Sequence, residues 1–305
     1  MKNVEIGTGK RKVSAVVLGC MRISGMSVPE VEELVETALS EGITAFDHAD
    51  IYGGGKSEEV FGEVLAAKPG LRDRIFLQSK CGIRKGFFDF SKEHIMGSVE
   101  GSLKRLQTDH LDMLLLHRPD ALMEMEEVAE AFDCLKSSGK VLEFGVSNMN
   151  PMQIELMEKG TGISLAANQL QFSAAHTPML DGGFNVNMAS DAGIMRDGSV
   201  LEYCRLKGMA VQAWSALQYG YFEGTFLGNE LYGELNQVLE RIGAKRGVTS
   251  AAVAIAWILR YPGSTQAVVG STKKERVREL AKAGDVSLSR EEWYEIYRAA
   301  GNQLP

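Results

Sequence analysis

Histidine and cysteine are scarce in this chain, five and four among 305 residues. The cysteines, Cys20, Cys81, Cys134 and Cys204, are scattered, form no C-x-x-C pair and have no histidine cluster beside them. That pattern excludes a disulfide framework and argues against a zinc site. No run approaches the roughly 20 apolar residues of a bilayer span. The opening MKNVEIGTGKRKV has no apolar core of a secretory signal, so a cytoplasmic protein with reduced thiols is expected. Basic residues are outnumbered, 33 against 40, for a net charge of -7. Nucleic acid and anionic membrane are therefore unexpected partners, since both need a basic footprint. The G-x-G-x-x-G that opens a dinucleotide-binding sheet is missing. No proline-rich or polar linker divides the chain, and no repeat of 20 to 50 residues is evident.

What is present is an ordinary globular balance, 45% hydrophobic and 24% charged, in a chain long enough to bury a large core. Short apolar runs alternate with amphipathic stretches of about a dozen residues, the rhythm of β/α units. Val4–Ile6 and Lys12–Val16 flank Gly-Thr-Gly-Lys and predict a β-hairpin. Eight strands are expected after it, at Val16–Leu18, Thr44–His48, Ile75–Ser79, Met113–His117, Glu143–Val146, Ala167–Leu170, Ala210–Ala213 and Ala267–Val269. Helix starts are expected at Ser27-Val-Pro-Glu30, which has capping-box spacing with proline in the first turn, and at Ser57, Ser91 and Thr249. Apolar residues at 95, 96, 99, 103 and 106 trace one helical face. Eight strands in this alternation predict one (β/α)8 barrel over residues 1–305, with an N-terminal hairpin and a C-terminal helix. Two connections, 173–198 and 218–230, are long for a compact domain and follow strands, which places them at the carboxyl-end face.

Ionisable residues converge at that face. The second strand ends in Asp47-His-Ala-Asp50 with Tyr52 just beyond; the third ends at Lys80 and the fourth at His117. Alternation sends Asp47 and His48 to opposite faces. The set suits reduction of a carbonyl by hydride, whose developing alkoxide needs a proton. A phenol is a weak acid at its ordinary pKa of about 10. A neighbouring ammonium stabilises the phenolate, and a carboxylate can hold that ammonium charged and in place. An imidazole can donate to the carbonyl oxygen. Asp47-His48-Ala-Asp50 is also compatible with a metal-dependent hydrolase, but His94, His110 and His176 sit in helix or loop contexts and supply no second histidine pair. Taken one at a time, a turn-capping Asp47, a loop Tyr52, a solvated Lys80 or a strand-end His117 is as common as a functional one. Their joint register at three consecutive strand ends is what carries the argument.

The segment Gly42-Ile-Thr-Ala-Phe-Asp-His-Ala-Asp-Ile-Tyr-Gly53 resembles the signature of the aldo-keto reductases. Leu77-Gln-Ser-Lys80, Leu114-Leu-Leu-His-Arg-Pro-Asp120, Gly145-Val-Ser-Asn148 and Asn168-Gln-Leu-Gln-Phe172 follow in the family's order. The likeness covers nearly the whole chain and is greatest to the bacterial YdhF-like branch. It implies a catalytic tetrad of Asp47, Tyr52, Lys80 and His117, with Tyr52 as proton donor, in an enzyme reducing a small carbonyl substrate with NADPH. It implies that Ser147, Asn148 and Gln169 hold the nicotinamide carboxamide and that Trp214 stacks on the ring. Gly19, Met21, Ser215, Ala216, Leu217 and Gly220 would lie along the rest of the cofactor. Gly270, Ser271, Thr272, Lys274, Arg276 and Glu279 would receive the adenosine 2′-phosphate end, a helix start beside an arginine being a good phosphate cradle. Gly270 and Leu280 stand where the family often has a basic residue and an asparagine; Lys273 or Lys274 can compensate, so NADPH is expected over NADH. Met26, Phe87, Phe88, Tyr219, Tyr221 and Phe222 suggest an apolar pocket. The alternative is an NADPH-binding, redox-sensing subunit with slow turnover, like barrels of this kind in membrane channels. A monomer or weak homo-oligomer is expected.

Overall fold

The computed structural model describes residues 1–221 and 223–305. A hairpin of β1 (Asn3–Ile6) and β2 (Arg11–Ser14) precedes β3 (Val16–Gly19), β4 (Ala45–Asp47) and β5 (Phe76–Cys81). A second hairpin, β6 (Ile83–Arg84) with β7 (Phe87–Phe88), rises from the end of β5. Then come β8 (Leu111–Leu116), β9 (Val141–Ser147), β10 (Ala167–Gln171), β11 (Ala210–Trp214) and β12 (Thr265–Val269). The eight strands β3, β4, β5, β8, β9, β10, β11 and β12 pair in parallel and close into a barrel, β12 returning to β3. Each was expected, with no end moved by more than two residues. Phe76–Cys81 and Leu111–Leu116 are buried at every position, as parallel strands must be when side chains fill one face and helices cover the other.

The wrapping helices are α1 (Val28–Ser40), α2 (Lys56–Ala67), α3 (Lys92–Leu106), α4 (Met125–Ser137), α5 (Pro151–Thr161), α6 (Pro178–Phe184), α7 (Val200–Lys207), α8 (Gly233–Arg246), α9 (Ser250–Leu259) and α10 (Lys274–Ala281), with α11 (Arg290–Ala299) last. Glu30 reaches back to the Ser27 backbone N–H at 2.8 Å, closing the start of α1. Ser91 and Thr249 cap α3 and α9 by accepting from His94 N and Ala252 N. On α3, Ile95, Val99, Leu103 and Leu106 are buried, the face that the periodicity marks.

Two expectations change. Ser57 is not a cap: α2 starts at Lys56 behind Gly55, and Ser57 lies buried in its first turn. Segment 173–198 is not all loop, because it holds α6 and a 3-10 turn at Asp191–Gly193; the seven-residue α6 is too short to show a periodic face.

The first hairpin packs on the amino end of the barrel, beside the starts of β5 and β8. Asp112, 1% exposed, pairs with Arg11 of β2 and with Arg72 at 2.9 Å, and accepts from Leu77 N at 2.7 Å. A buried carboxylate held by two guanidiniums is stabilising only while all partners are present. At the other side of the barrel, the indole N–H groups of Trp257 and Trp293 each donate to the other's backbone carbonyl at 3.0 Å, with the rings stacked 4.9 Å apart, clasping α11 to α9. Asp112→Ala should cost about 3 kcal/mol of folding free energy by leaving Arg72 buried and unpaired. Urea denaturation tests this, and a loss below about 1 kcal/mol would mean the cluster behaves as a surface ion pair.

Candidate active site

Strand alternation and barrel stagger assemble the centre. Asp47 pairs in register with Gln78 and Lys80 with Leu115. Lys80 therefore lies two residues beyond the partner of Asp47, and His117 two beyond the partner of Lys80. All three point inward at the carboxyl end, since period two keeps residues i and i+2 on one face. Tyr52 arrives from a 3-10 turn, Tyr52–Gly55. Gly53, Gly54 and Gly55 take φ of 60°, 66° and 95°, a left-handed run that side chains resist. A Cβ on Gly53 would also stand 2.4 Å from that of Ser24.

Lys80 is fully buried, and its ammonium spends its three donors on Asp47 Oδ1 at 2.7 Å, His48 O at 2.8 Å and the Tyr52 hydroxyl at 3.2 Å. The phenol oxygen thus accepts from Lys80, which leaves the phenol's own proton to point elsewhere. Asp47 Oδ1 also accepts from Gln78 Nε2 at 2.5 Å and Gln169 Nε2 at 3.0 Å. Behind it, Gln212 links Gln78, Gln169 and Gln266 in a buried amide layer. The sequence reading missed this layer. The signal was available as one glutamine on the inward face of each of four barrel strands.

The electrostatics differ in one respect from expectation. Burial holds the Tyr52 phenol above its ordinary value; Lys80 opposes that shift without reversing it. Lys80 is held above its ordinary value, because Asp47 and Tyr52 outweigh the burial that would lower it. His117 is lowered to about 2 by burial, then by Lys80 and Arg118, so its imidazole is neutral at physiological pH. Its ring lies edge-on to Tyr52 with centroids 6.1 Å apart. His48 faces the helices, edge-on to Phe61 at 4.7 Å. Asp47 and His48 are thereby on opposite sides of the strand, which separates the pair that suggested metal chemistry. Cys20 is buried beneath the site with Sγ on Leu18 O, away from the cavity lining.

Above this centre opens a cavity of about 930 Å3. Asp47, Tyr52 and His117 line it, as do Gly19, Met21, Ser147, Asn148, Gln169, Trp214, Ser215, Ala216, Leu217, Gly270, Ser271, Thr272 and Arg276. Gly220, Lys274 and Glu279 do not. A Cβ on Gly220 would meet the Glu223 carboxylate, Lys274 is turned to Glu33 in an ion pair, and Glu279 is exposed on the outer part of α10. The basic residues at this end of the cavity are Lys273 and Arg276. Of the aromatic set, Tyr221 lines the cavity. Phe87 and Phe88 are exposed on their hairpin, Tyr219 packs on Tyr232 and donates to Glu223 O, and Met26 packs against the core; Phe222 lies outside the described residues. Arg22, Ile51, Ile83 and Arg118 line the cavity without having been assigned there from sequence, since only loop geometry brings them in.

The lining suits an elongated dinucleotide. Asn148 and Ser215 hold φ of 58° and 52°, strain that persists where a site over-determines its backbone. Trp214 Nε1 donates to Asn148 Oδ1 at 3.1 Å, and Asn148 Nδ2 donates to Ser147 Oγ at 2.6 Å, fixing that wall. Gly270 leaves open space where a Cβ would stand. Beyond it, the first amides of α10 offer donors and a positive helix end to an anion.

Because His117 stays neutral when folded but takes a proton near 6.5 when unfolded, the unfolded chain binds the extra proton between about pH 6.5 and 2. Stability due to this residue is constant above pH 6.5 and falls on acidification. Wild type should therefore lose about 1.4 kcal/mol per pH unit relative to His117→Asn below pH 6, and nothing above pH 7, by urea denaturation at stepped pH. Parallel curves throughout would show that His117 protonates freely in the fold.

The family described as "Aldo/keto reductase family" matches residues 15–300. The chain is 38% identical to a "6-dehydroglucose reductase" of Agrobacterium fabrum over 95% of each chain, and 37% identical to "Oxidoreductase YdhF" of Escherichia coli over the full length of both. An aldo-keto reductase of Klebsiella pneumoniae, solved in complex with NADPH, superposes with a TM-score of 0.78 at 28% identity, covering 99% of this chain and 96% of that one.

Proposed function

The chain belongs to the aldo/keto reductase family of NAD(P)H-dependent oxidoreductases, and from that premise we propose that it reduces an aldehyde or ketone to the alcohol with NADPH, Tyr52 delivering the proton. The observation that carries this reading is the Lys80 ammonium, which touches the Tyr52 hydroxyl and Asp47 at the floor of the cavity.

The bound cofactor would supply the hydride. The protein's part is polar positioning and one proton. A neutral His117 has a single ring N–H to offer, and donating it to the carbonyl oxygen polarises the bond and fixes the substrate beside Tyr52. As charge gathers on that oxygen, the phenol proton, already directed away from Lys80, moves to it. The phenolate left behind lies 3.2 Å from Lys80. Asp47 keeps that lysine charged, which offsets the burial that makes Tyr52 a reluctant acid. Alcohol oxidation is the reverse path, with the phenolate as base. The complete proton-transfer set favours turnover over a purely sensing role. Four free cysteines suit a reducing compartment.

Ser147, Asn148 and Gln169 would hold the carboxamide and Trp214 the ring face. Ser271, Lys273 and Arg276 would hold the 2′-phosphate and give NADPH its advantage over NADH. Gln169 already donates to Asp47 and Gln212, so its carbonyl oxygen is the atom left to accept from the carboxamide.

Tyr52→Phe should lower turnover on the order of 10³-fold, the scale of a lost general acid, with NADPH binding unchanged by fluorescence titration. Near wild-type turnover would remove Tyr52 from its role. Arg276→Ala should weaken NADPH about tenfold, the scale of one charge-assisted contact, and leave NADH as it was. Equal weakening of both nucleotides would place Arg276 elsewhere than at the 2′-phosphate.

A further inference from the structure

The cavity has two cationic ends, and the cofactor reading uses only one of them. Lys273 and Arg276 follow β12. Arg118 follows β8, which stands four strands away from β12 in either direction around the ring of eight, on the opposite side of the barrel mouth. Among the described residues Arg118 has no carboxylate at ion-pair distance. Its guanidinium instead lies over two aromatic faces, 5.4 Å from the Trp214 ring centre and 5.7 Å from that of Tyr221. Stacking of this kind fixes the plane of the group but leaves its charge and its in-plane N–H donors available.

Its place in sequence sets what those donors can meet. Arg118 adjoins His117, the residue that would hold the carbonyl oxygen, so a group on the same small molecule falls within its reach. Lys80 is already paired with Asp47, so Arg118 is the cation left to a ligand at this end of the cavity. A wholly apolar substrate covering the cavity would strip water from Arg118 without supplying a counter-charge, which is costly.

We propose that Arg118 is a specificity-determining residue and that the preferred substrates are small aldehydes or ketones carrying a carboxylate a few bonds from the carbonyl. The inference rests on the reductase reading above. A guanidinium offers paired donors that match a carboxylate in plane, and such acids are ionised at neutral pH, the carboxyl pKa being about 4.

The test measures NADPH oxidation with aldehyde acids of two to five carbons, each paired with its methyl ester, with glyceraldehyde and 4-nitrobenzaldehyde as neutral carbonyls. Wild type, Arg118→Met and Arg118→Lys are compared, and NADPH affinity is followed by protein fluorescence. Wild type should favour the acid over its ester in kcat/KM by about tenfold or more, the worth of a charge-assisted pair. Arg118→Met should lose that preference through the acid alone, Arg118→Lys should keep part of it, and NADPH affinity should not move. Equal rates for acid and ester, or glyceraldehyde reduced as well as the acids, would overturn the proposal and leave the reductase reading standing. Slowing of acid and ester alike in Arg118→Met, or weakened NADPH, would overturn it by placing Arg118 in folding or at the cofactor. No NADPH oxidation with any carbonyl of the panel would overturn the reductase reading, and this inference with it.

Discussion

A lysine ammonium sealed inside a barrel is the constraint around which the carboxyl end of this protein is arranged. Desolvating that charge is expensive unless every donor finds an acceptor. Lys80 meets this condition with one carboxylate, one backbone carbonyl and one phenol. Each acceptor has its own requirement. Asp47 is steadied by Gln78 and Gln169, and through them by the glutamine layer reaching Gln266 and the carbonyl of Ser14. The His48 carbonyl is available because β4 ends there. Tyr52 is available because three left-handed glycines fold the chain back over the barrel mouth. The interaction that keeps a buried cation tolerable also places a phenol beside it, so the stability of this end and the proposed chemistry have one origin.

The barrel supplies the second organising fact. Closure sets opposite strands across one mouth, so a single cavity can carry a proton-transfer centre on one side and an anion-binding helix start on the other. Asp47, Lys80 and His117 come from β4, β5 and the end of β8, while Ser271 and Arg276 follow β12. Among the described residues that line the cavity, the non-glycine ones with positive φ are Asn148 and Ser215, in the wall between them. The amino end is built differently, from a hairpin and the buried Asp112 with its two arginines. Ion pairing there ties the hairpin to the barrel, at the end opposite to the face where active sites of such barrels lie.

Much of this was legible in the chain. The eight strands could be read because each is a short apolar run between amphipathic stretches, and Asp47, Lys80 and His117 could be placed at strand ends because period two is local. The caps at Ser27, Ser91 and Thr249 are local as well. Ser57 misled because its Ser-Glu-Glu spelling imitates a cap, whereas the preceding glycine turn starts the helix two residues earlier. The two long connections were visible as long, but their contents were not. Tyr219 and Tyr221 are two residues apart and of one kind, yet one packs on Tyr232 and the other lines the cavity. Lys273 and Lys274 are neighbours, yet the second is drawn to Glu33, 241 residues away.

The sequence by itself determined the β/α order, the inward or outward sense of each strand residue and the identity of the groups that could share a proton, because these follow from periodicity and side-chain chemistry within a few residues. Tertiary structure alone decided which charges are neutralised and which are not. It sealed Lys80, raised Tyr52 by burial, lowered His117, turned Lys274 away and left Arg118 lying over two aromatic rings at the cavity wall. Those outcomes depend on distances between residues remote in sequence and on how much water their packing excludes, and neither is written in local pattern.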